Sequence, residues 1–208
     1  MPSAKAAGVL GVFGGTFDPV HVGHLVVAQE AFEALSLDGM LLLPALQSPL
    51  KTEGPRASGE LRSQMIRVAT EEDSRFEVCG LELARAGPSY TVDTLRAIQA
   101  QRPSARLVLI LGADQWSQFA RWREPSEIAR IASIALLTRG GERPSMMDPG
   151  FAAGATPPFR EVPVSRIDVS SSGVRDRVRA GLSVRYLVPE PVRRIIEAHN
   201  LYRRLGES

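Results

Sequence analysis

Apolar residues along the chain form short runs that alternate with stretches of helical spacing. The runs are rich in Val, Leu and Ile, which is typical of strands buried on both faces of a sheet. They predict strands near residues 8–13, 40–44, 75–79, 106–111, 133–138 and 160–164. The stretches between them place apolar residues at i, i+3 and i+4, and they predict helices near residues 22–35, 59–72, 91–101 and 126–130.

Strands that alternate with helices predict an α/β fold with a mainly parallel sheet and helices on both faces. After the last predicted strand only helices follow, near residues 172–180 and 189–202. We therefore expect one domain over residues 1–208, with a small C-terminal helical portion from about residue 170. Ligands of such sheets bind at the carboxyl ends of the strands, so the segments that follow the strands are expected to meet in one crevice.

The composition is that of an ordinary globular chain. Of 208 residues, 44% are hydrophobic and 23% are charged, and no apolar run reaches the roughly 18 residues that span a bilayer. A lone Cys79 excludes an intrachain disulfide framework, and the first residues lack a signal peptide's apolar region, so we expect a cytoplasmic protein without a membrane partner. The net charge of +2, with no aromatic residues interleaved among the C-terminal arginines, gives no support for a nucleic-acid partner.

The most informative segment joins the first predicted strand to the first predicted helix. It reads Gly14-Gly15-Thr-Phe-Asp-Pro-Val-His21-Val-Gly-His24. Unpaired N–H groups and the helix dipole favour an anion at such a junction. The two glycines remove Cβ atoms, and we expect them to adopt dihedrals that other residues avoid. The two histidines, at i and i+3, are expected to leave one face of the helix.

Two neighbouring positions extend this interpretation. Pro19 suits the first helical turn, where its missing N–H costs nothing, and Gly23 would leave bare backbone over which a base or phosphate chain could lie.

A histidine on a helix is more often an ordinary core or surface residue, and a histidine pair can also bind a metal. Because neither His199 nor Cys79 has a recognisable ligand spacing, we predict no metal site. Imidazole donors suit charge developing on phosphate oxygens, which favours a phosphate site.

The same segment carries a resemblance to a known family. Residues 14–25 resemble the motif of the nucleotidyltransferases that bear a (T/H)-x-G-H sequence. Residues 88–95 (Pro-Ser-Tyr-Thr-Val-Asp-Thr-Leu), residues 111–114 (Leu-Gly-Ala-Asp) followed by Trp122, and residues 167–175 resemble one branch, the bacterial nicotinate-nucleotide adenylyltransferases. This resemblance implies a Rossmann-like doubly wound fold. It also implies an enzyme of NAD biosynthesis that transfers the adenylyl group of ATP to nicotinate mononucleotide, giving deamido-NAD and pyrophosphate.

The resemblance assigns roles at the ATP site. It implies that His21 contacts the transferring phosphate, that His24 contacts the leaving phosphates and that Arg175 reaches the β- and γ-phosphates, with Mg²⁺ carried on the ATP phosphates. The other ATP-binding residues that it implies are Gly14, Gly15, Thr16, Phe17, Ser170, Ser171 and Ser172. Serines at a helix start are also common N-caps, and capping and phosphate binding are compatible because both use the exposed N–H groups.

The resemblance also assigns a mononucleotide site. It implies that Trp122 stacks on the nicotinate ring and that Thr91 and the backbone near Arg123 recognise its carboxylate, with Arg139 assisting electrostatically. Asp114 would accept a hydrogen bond from a ribose hydroxyl, or else it is an ordinary turn or N-cap residue. Tryptophans are more often core residues than ligand platforms, and this applies more strongly to Trp116 than to Trp122.

One segment departs from the family pattern. The family commonly has a Pro-Pro-His-Lys-like sequence after the second strand, whereas this chain has Ser-Pro-Leu50-Lys51, so the mononucleotide-binding role of Lys51 stays open. Residues 47–57 and 140–158 are predicted loops, the second of them mobile.

Two alternative functions stay open. The nearer one is that of a pantetheine-phosphate adenylyltransferase, which shares the first and last motifs, and the other is that of a nucleotide-binding module without catalysis. A homo-oligomer is also possible.

Overall fold

The computed structural model describes residues 8–46, 54–85, 87, 89–139, 151 and 156–203. Its centre is a six-stranded sheet in which every strand pairing is parallel. The strands are β1 (Val9–Gly15), β2 (Gly39–Pro44), β3 (Phe76–Val78), β4 (Arg106–Leu111), β5 (Ala132–Arg139) and β6 (Phe159–Val164). Their order is β3-β2-β1-β4-β5-β6, so the winding reverses between β1 and β4. The predicted doubly wound α/β fold is confirmed, and the reversal marks where such sheets bind ligands.

The helices of the described part of the chain follow the predicted alternation. They are α1 (Val22–Ala34), α2 (Gly59–Thr70), α3 (Thr91–Gln101), α4 (Ala113–Trp116), α5 (Pro125–Ile131), α6 (Ser171–Arg179) and α7 (Glu190–Ala198), with a 3₁₀ turn at Phe119–Arg121. The short α4 and the 3₁₀ turn were not predicted, because so few residues show no periodicity. The prediction for α7 was four residues too long: Asn200 and Tyr202 have φ angles of 49° and 66°, which end a right-handed helix. None of the described helices is both long and apolar enough to cross a membrane.

The core has one cluster on each face of the sheet. Adjacent residues of a strand point to opposite faces, so Leu42 belongs to one cluster and Leu43 to the other. The first cluster contains buried residues of α1, α2, α6 and α7, and the second contains those of α3 and α5. Helices therefore cover both faces, as predicted. The C-terminal helices α6 and α7 pack on the same face as α1.

Candidate functional site

The turn after β1 begins at the carboxyl end of the sheet, beside the reversal point. Gly14 and Gly15 continue β1, and the left-handed conformation belongs to Phe17, whose φ is 47°. The expected unusual glycine dihedrals were therefore wrong. A Cβ on Gly14 would meet no atom within 4 Å, so the backbone there is open to close approach by a ligand. Pro19 was also wrongly placed: it follows a cis peptide bond and lies ahead of α1, which begins at Val22.

The side chains of His21 and His24 lie against each other at the start of α1. Their ring centroids are 3.8 Å apart, and the His24 ring also packs edge-on against Phe17 at 4.9 Å. His21 is only 5% exposed. The backbone N–H of His21 donates to Nδ1 of His24 at 3.3 Å, so a neutral His24 ring carries its proton on Nε2. The Nε2–H of His24 is thus a hydrogen-bond donor, and the contact of the ring with the backbone fixes its direction.

Both histidines are neutral in the free protein at pH 7. Burial, followed by the positive charge of Arg139, lowers the pKa of His21 to about 4. Burial, the neighbouring His21 and Arg139 together hold the pKa of His24 well below its usual value. Arg139 is the last residue of β5, so its charge acts on the histidine pair. A bound polyphosphate would oppose these effects and raise both pKa values.

Gly23 has a different role from the expected one. A Cβ built on Gly23 would lie 3.1 Å from both Cε1 and Nδ1 of His21, so the His21 ring itself covers this glycine. The bare backbone patch predicted for a ligand is therefore occupied by the imidazole. Nδ1 of His21 is buried and has no hydrogen-bond partner among the described residues. The ring packs against Gly23 and against the His24 ring.

The serine-led segment at the start of α6 is in contact with this turn. Ser170 is the N-cap, and its Oγ accepts from the N–H of Gly173 at 3.1 Å, so the capping interpretation holds. Oγ of Ser172 lies 3.1 Å from Oγ of Ser170. Oγ of Ser171 donates to the carbonyl of Pro19 at 2.9 Å, 152 residues away in sequence. The first and last motifs therefore form one surface, as expected for segments that follow the carboxyl ends of strands.

Arg175 connects the same two segments. Its Nη1 donates to the carbonyl oxygen of Asp18 at 2.7 Å and lies 4.0 Å from the Asp18 carboxylate. The side chain is 24% exposed. The guanidinium is thus anchored at the turn, with part of its surface left accessible to a ligand.

Three residues that the sequence did not reveal hold the turn in place. The Asp18 carboxylate is 2% exposed and accepts from the N–H of Arg56 at 2.7 Å, the N–H of Ala57 at 3.1 Å and Oη of Tyr202 at 2.8 Å. Arg62 is 1% exposed, and its Nη1 donates at 2.7 Å to the carbonyls of both Thr16 and Ala45. Burial and the Asp18 carboxylate raise the pKa of Tyr202, which therefore stays a donor. Only Asp18 had a signal, namely its place within the motif.

A narrow pocket lies on the other side of Gly14, between the ends of β1 and β4. Trp122 and Thr91, the first residue of α3, line it together with Glu82, Thr94 and Gln115. Its volume of ≈ 40 Å³ holds only a few water molecules.

Among the described residues, the other three predicted to bind the mononucleotide, Asp114, Arg123 and Arg139, do not line this pocket. The Arg123 guanidinium stacks over Tyr90 at 4.8 Å and lies 3.5 Å from the Asp93 carboxylate. Asp114 is exposed in the first turn of α4, where the N-cap is Gly112. Trp116 is fully buried and stacked on Phe119, so it is a core residue. Lys51 and Leu50, like most of residues 140–158, lie outside the described residues.

Within the described ranges no group of three His, Cys, Asp or Glu residues is arranged to hold a metal ion.

Comparison with known proteins gives one consistent result. The family model described as cytidylyltransferase-like matches residues 12–177. The chain is 41% identical over 199 residues to a protein of Rhodopirellula baltica described as a probable nicotinate-nucleotide adenylyltransferase, covering 93% of each chain. It is 40% identical over 195 residues to a protein of the same description from Thermus thermophilus, covering 93% of this chain and 99% of the relative.

Solved structures agree at the level of the fold. The nicotinic acid mononucleotide adenylyltransferase of Plasmodium falciparum complexed with NaAD has a TM-score of 0.75 at 16% identity, covering 93% of this chain and 96% of that one. The same enzyme complexed with APC has a TM-score of 0.73, covering 94% and 97%. The matched family model includes both phosphate motifs, and the relatives match almost their whole length. The chain belongs to the cytidylyltransferase-like family and, within it, to the nicotinate-nucleotide adenylyltransferases.

Proposed function

We propose that this protein transfers the adenylyl group of ATP to nicotinate mononucleotide, releasing pyrophosphate and deamido-NAD. One observation carries the proposal: Gly14, the first residue of the motif that contacts Ser171 through Pro19, also lines the pocket that contains Thr91 and Trp122. A nucleotide triphosphate on the surface formed by the two phosphate motifs and a mononucleotide ring in the pocket would place their phosphates next to each other, at the carboxyl end of β1.

The reaction needs positioning more than acid–base chemistry. The phosphate oxygen of the mononucleotide forms a bond to the α-phosphorus of ATP, and the bond between that phosphorus and the bridging oxygen breaks, so pyrophosphate leaves with the electron pair. A phosphate monoester is already a nucleophile at neutral pH, so no protein base is required. The Nε2–H of His24 and the guanidinium of Arg175 are donors that stabilise charge on the phosphate oxygens.

Mg²⁺ fits this site as a companion of ATP. The donors at the turn are N–H groups, imidazoles and serine hydroxyls, whereas Mg²⁺ prefers oxygen ligands and usually keeps waters and substrate phosphates. The one buried carboxylate of the turn, Asp18, is already hydrogen-bonded to Arg56, Ala57 and Tyr202. The residues present therefore suit a cation held by the triphosphate, where it neutralises phosphate charge.

The ring pocket suits a pyridine carboxylate. Thr91 lies at the N-terminus of α3, where unpaired N–H groups and the helix dipole attract a carboxylate. Trp122 supplies a flat apolar face beside them.

A panel of acceptors tests the proposal. The purified protein is incubated with Mg²⁺ and ATP and, in turn, with nicotinate mononucleotide, nicotinamide mononucleotide and phosphopantetheine, and released pyrophosphate is measured. We expect rapid release with nicotinate mononucleotide and a product of the mass of deamido-NAD. Preference for phosphopantetheine would show that the protein is a pantetheine-phosphate adenylyltransferase. Nucleotide binding without release of pyrophosphate from any acceptor would show that it is a binding module without catalysis. A cytoplasmic location and a homo-oligomer stay predictions.

A further inference from the structure

The ring pocket contains a buried acid that neither phosphate motif uses. Glu82 lies in the turn between β3 and α3, is 8% exposed and lines the pocket next to Thr91 and Trp122. The nearest segment of similar sequence, residues 88–95, begins six residues later, so the resemblance gave this acid no role.

The charge of Glu82 is only partly compensated within the protein. Its Oε1 accepts from Oγ1 of Thr94 at 3.1 Å. The nearby Arg85 instead donates to Thr94 Oγ1 at 3.0 Å and to the carbonyl of Asp93 at 2.9 Å, and the structure gives Glu82 no ion pair among the described residues. Burial raises the pKa of this carboxyl, while the Thr94 and Ser89 hydroxyls and the positive charge of Arg85 oppose that effect. A buried carboxylate without a direct ion pair is costly, so such a group often serves a ligand.

The ligand of the proposed function carries a positive charge complementary to that of Glu82. In nicotinate mononucleotide the ring nitrogen bears the ribose and is therefore a quaternary cation, while the carboxylate sits two ring positions away. When the pyridinium ring lies on Trp122 and its carboxylate is at the start of α3, its positive nitrogen can face the wall of the pocket that contains Glu82. An aromatic face combined with a carboxylate is a favourable environment for a desolvated organic cation.

On the basis of the proposed function, we propose that Glu82 is a specificity-determining residue that pairs with the cationic pyridinium ring of the mononucleotide. The ring charge is the same in the substrate, in the transition state and in the product. Glu82 therefore contributes equally to all three, and its loss should raise KM for the acceptor while kcat changes little.

The test compares acceptors with and without the ring charge. The 1,4-dihydro form of nicotinate mononucleotide keeps the carboxylate, ribose and phosphate but has a neutral ring. Glu82→Gln removes the charge and keeps an oxygen that can accept from Thr94. We expect this variant to lose at least about tenfold in kcat/KM for the oxidised acceptor, almost all of it in KM, with little change for the dihydro acceptor or in KM for ATP.

Two control variants separate charge from structure. Glu77→Gln removes an exposed carboxylate that pairs with Arg102 outside the pocket, and it should leave both acceptors unchanged. Thr94→Val removes the hydrogen bond to Glu82 but not the charge, so it should affect both acceptors alike. An equal loss for both acceptors in Glu82→Gln would mean that Glu82 only holds α3 in place, and the proposal would be wrong.

Binding to the unmodified protein gives a measurement that does not depend on folding of a variant or on turnover. Calorimetric titration of each acceptor without ATP should show tighter binding of the oxidised form by about tenfold or more. Equal affinities would overturn the role of Glu82 and leave the proposed function intact. Failure of the proposed function would instead appear as absence of pyrophosphate with nicotinate mononucleotide in the wild-type protein.

Discussion

Replacing Gly23 with alanine tests whether the precise position of the His21 ring matters for catalysis. The new Cβ would lie 3.1 Å from Cε1 and Nδ1 of His21 and 3.5 Å from Cγ2 of Ile167. Carbon atoms normally pack at about 3.5–4.0 Å, so only the imidazole has to move, by a few tenths of an ångström. Because His21 is 5% exposed, it has little free space in which to do so.

The expected effect on rate is larger than the effect on stability. Misplacement of a reacting group by about 1 Å costs on the order of 100-fold, so a shift of a few tenths should lower kcat by roughly 3- to 30-fold. Overpacking costs about 1–3 kcal/mol, whereas the better helix propensity of alanine returns about 0.5–1 kcal/mol. We therefore expect the free energy of unfolding to fall by no more than about 2.5 kcal/mol.

The assay is steady-state pyrophosphate release together with thermal unfolding. Gly80→Ala is the matched control, because a Cβ there meets no atom within 4 Å and its φ is not in the left-handed region. This control should keep both kcat and Tm. A Gly23→Ala protein with wild-type kcat would show that the His21 ring tolerates displacement, and the positioning argument would be refuted.

Three further predictions concern charge at the two subsites. Arg175→Ala should raise KM for ATP several-fold whereas Arg177→Ala should not, since only the first contacts the turn through Asp18; equal effects would indicate a general role of positive charge. Binding of MgATP at pH 6 should take up protons, because the pKa of His21 is about 4 in the free protein and phosphates raise it. Calorimetry in two buffers of different ionisation enthalpy measures this uptake, which should vanish at pH 8 and be reduced in His21→Ala. Nicotinate mononucleotide should exceed nicotinamide mononucleotide in kcat/KM by about 100-fold, because the amide leaves donors near Thr91 unpaired at about 1–3 kcal/mol each; equal use would contradict the carboxylate site.

The sequence alone was sufficient to predict the strands of the sheet and the contact between the first and last motifs. Every strand was predicted to within a few residues, since buried parallel strands are continuous apolar runs with clear ends. Contact between the start of α6 and the turn after β1 followed from a general rule about strand ends. That rule gives proximity only. It does not say which side chain contacts which.

The errors arose where tertiary contacts override local preference. The left-handed residue of the turn is Phe17 and not a glycine, because its ring is buried between Phe13 at 5.9 Å and His24 at 4.9 Å. The contacts that hold the turn are equally nonlocal: Arg62 reaches Thr16 across 46 residues and Tyr202 reaches Asp18 across 184 residues. Neither contact leaves a periodic pattern or a spacing in the sequence.

Before a nucleotide binds, the surface formed by His21, His24 and Arg175 carries little positive charge that is free to move toward a ligand. Its two imidazoles are neutral, and the Arg175 guanidinium is anchored to the Asp18 carbonyl. Donors of this kind are already oriented, so they lose little entropy on binding, and they attract a polyphosphate less strongly than protonated histidines would. If the triphosphate then draws protons onto the histidines, they add to the positive charge of Arg175 and Arg139 only when ATP is present. The low histidine pKa values therefore predict that part of the positive charge at this surface appears on nucleotide binding.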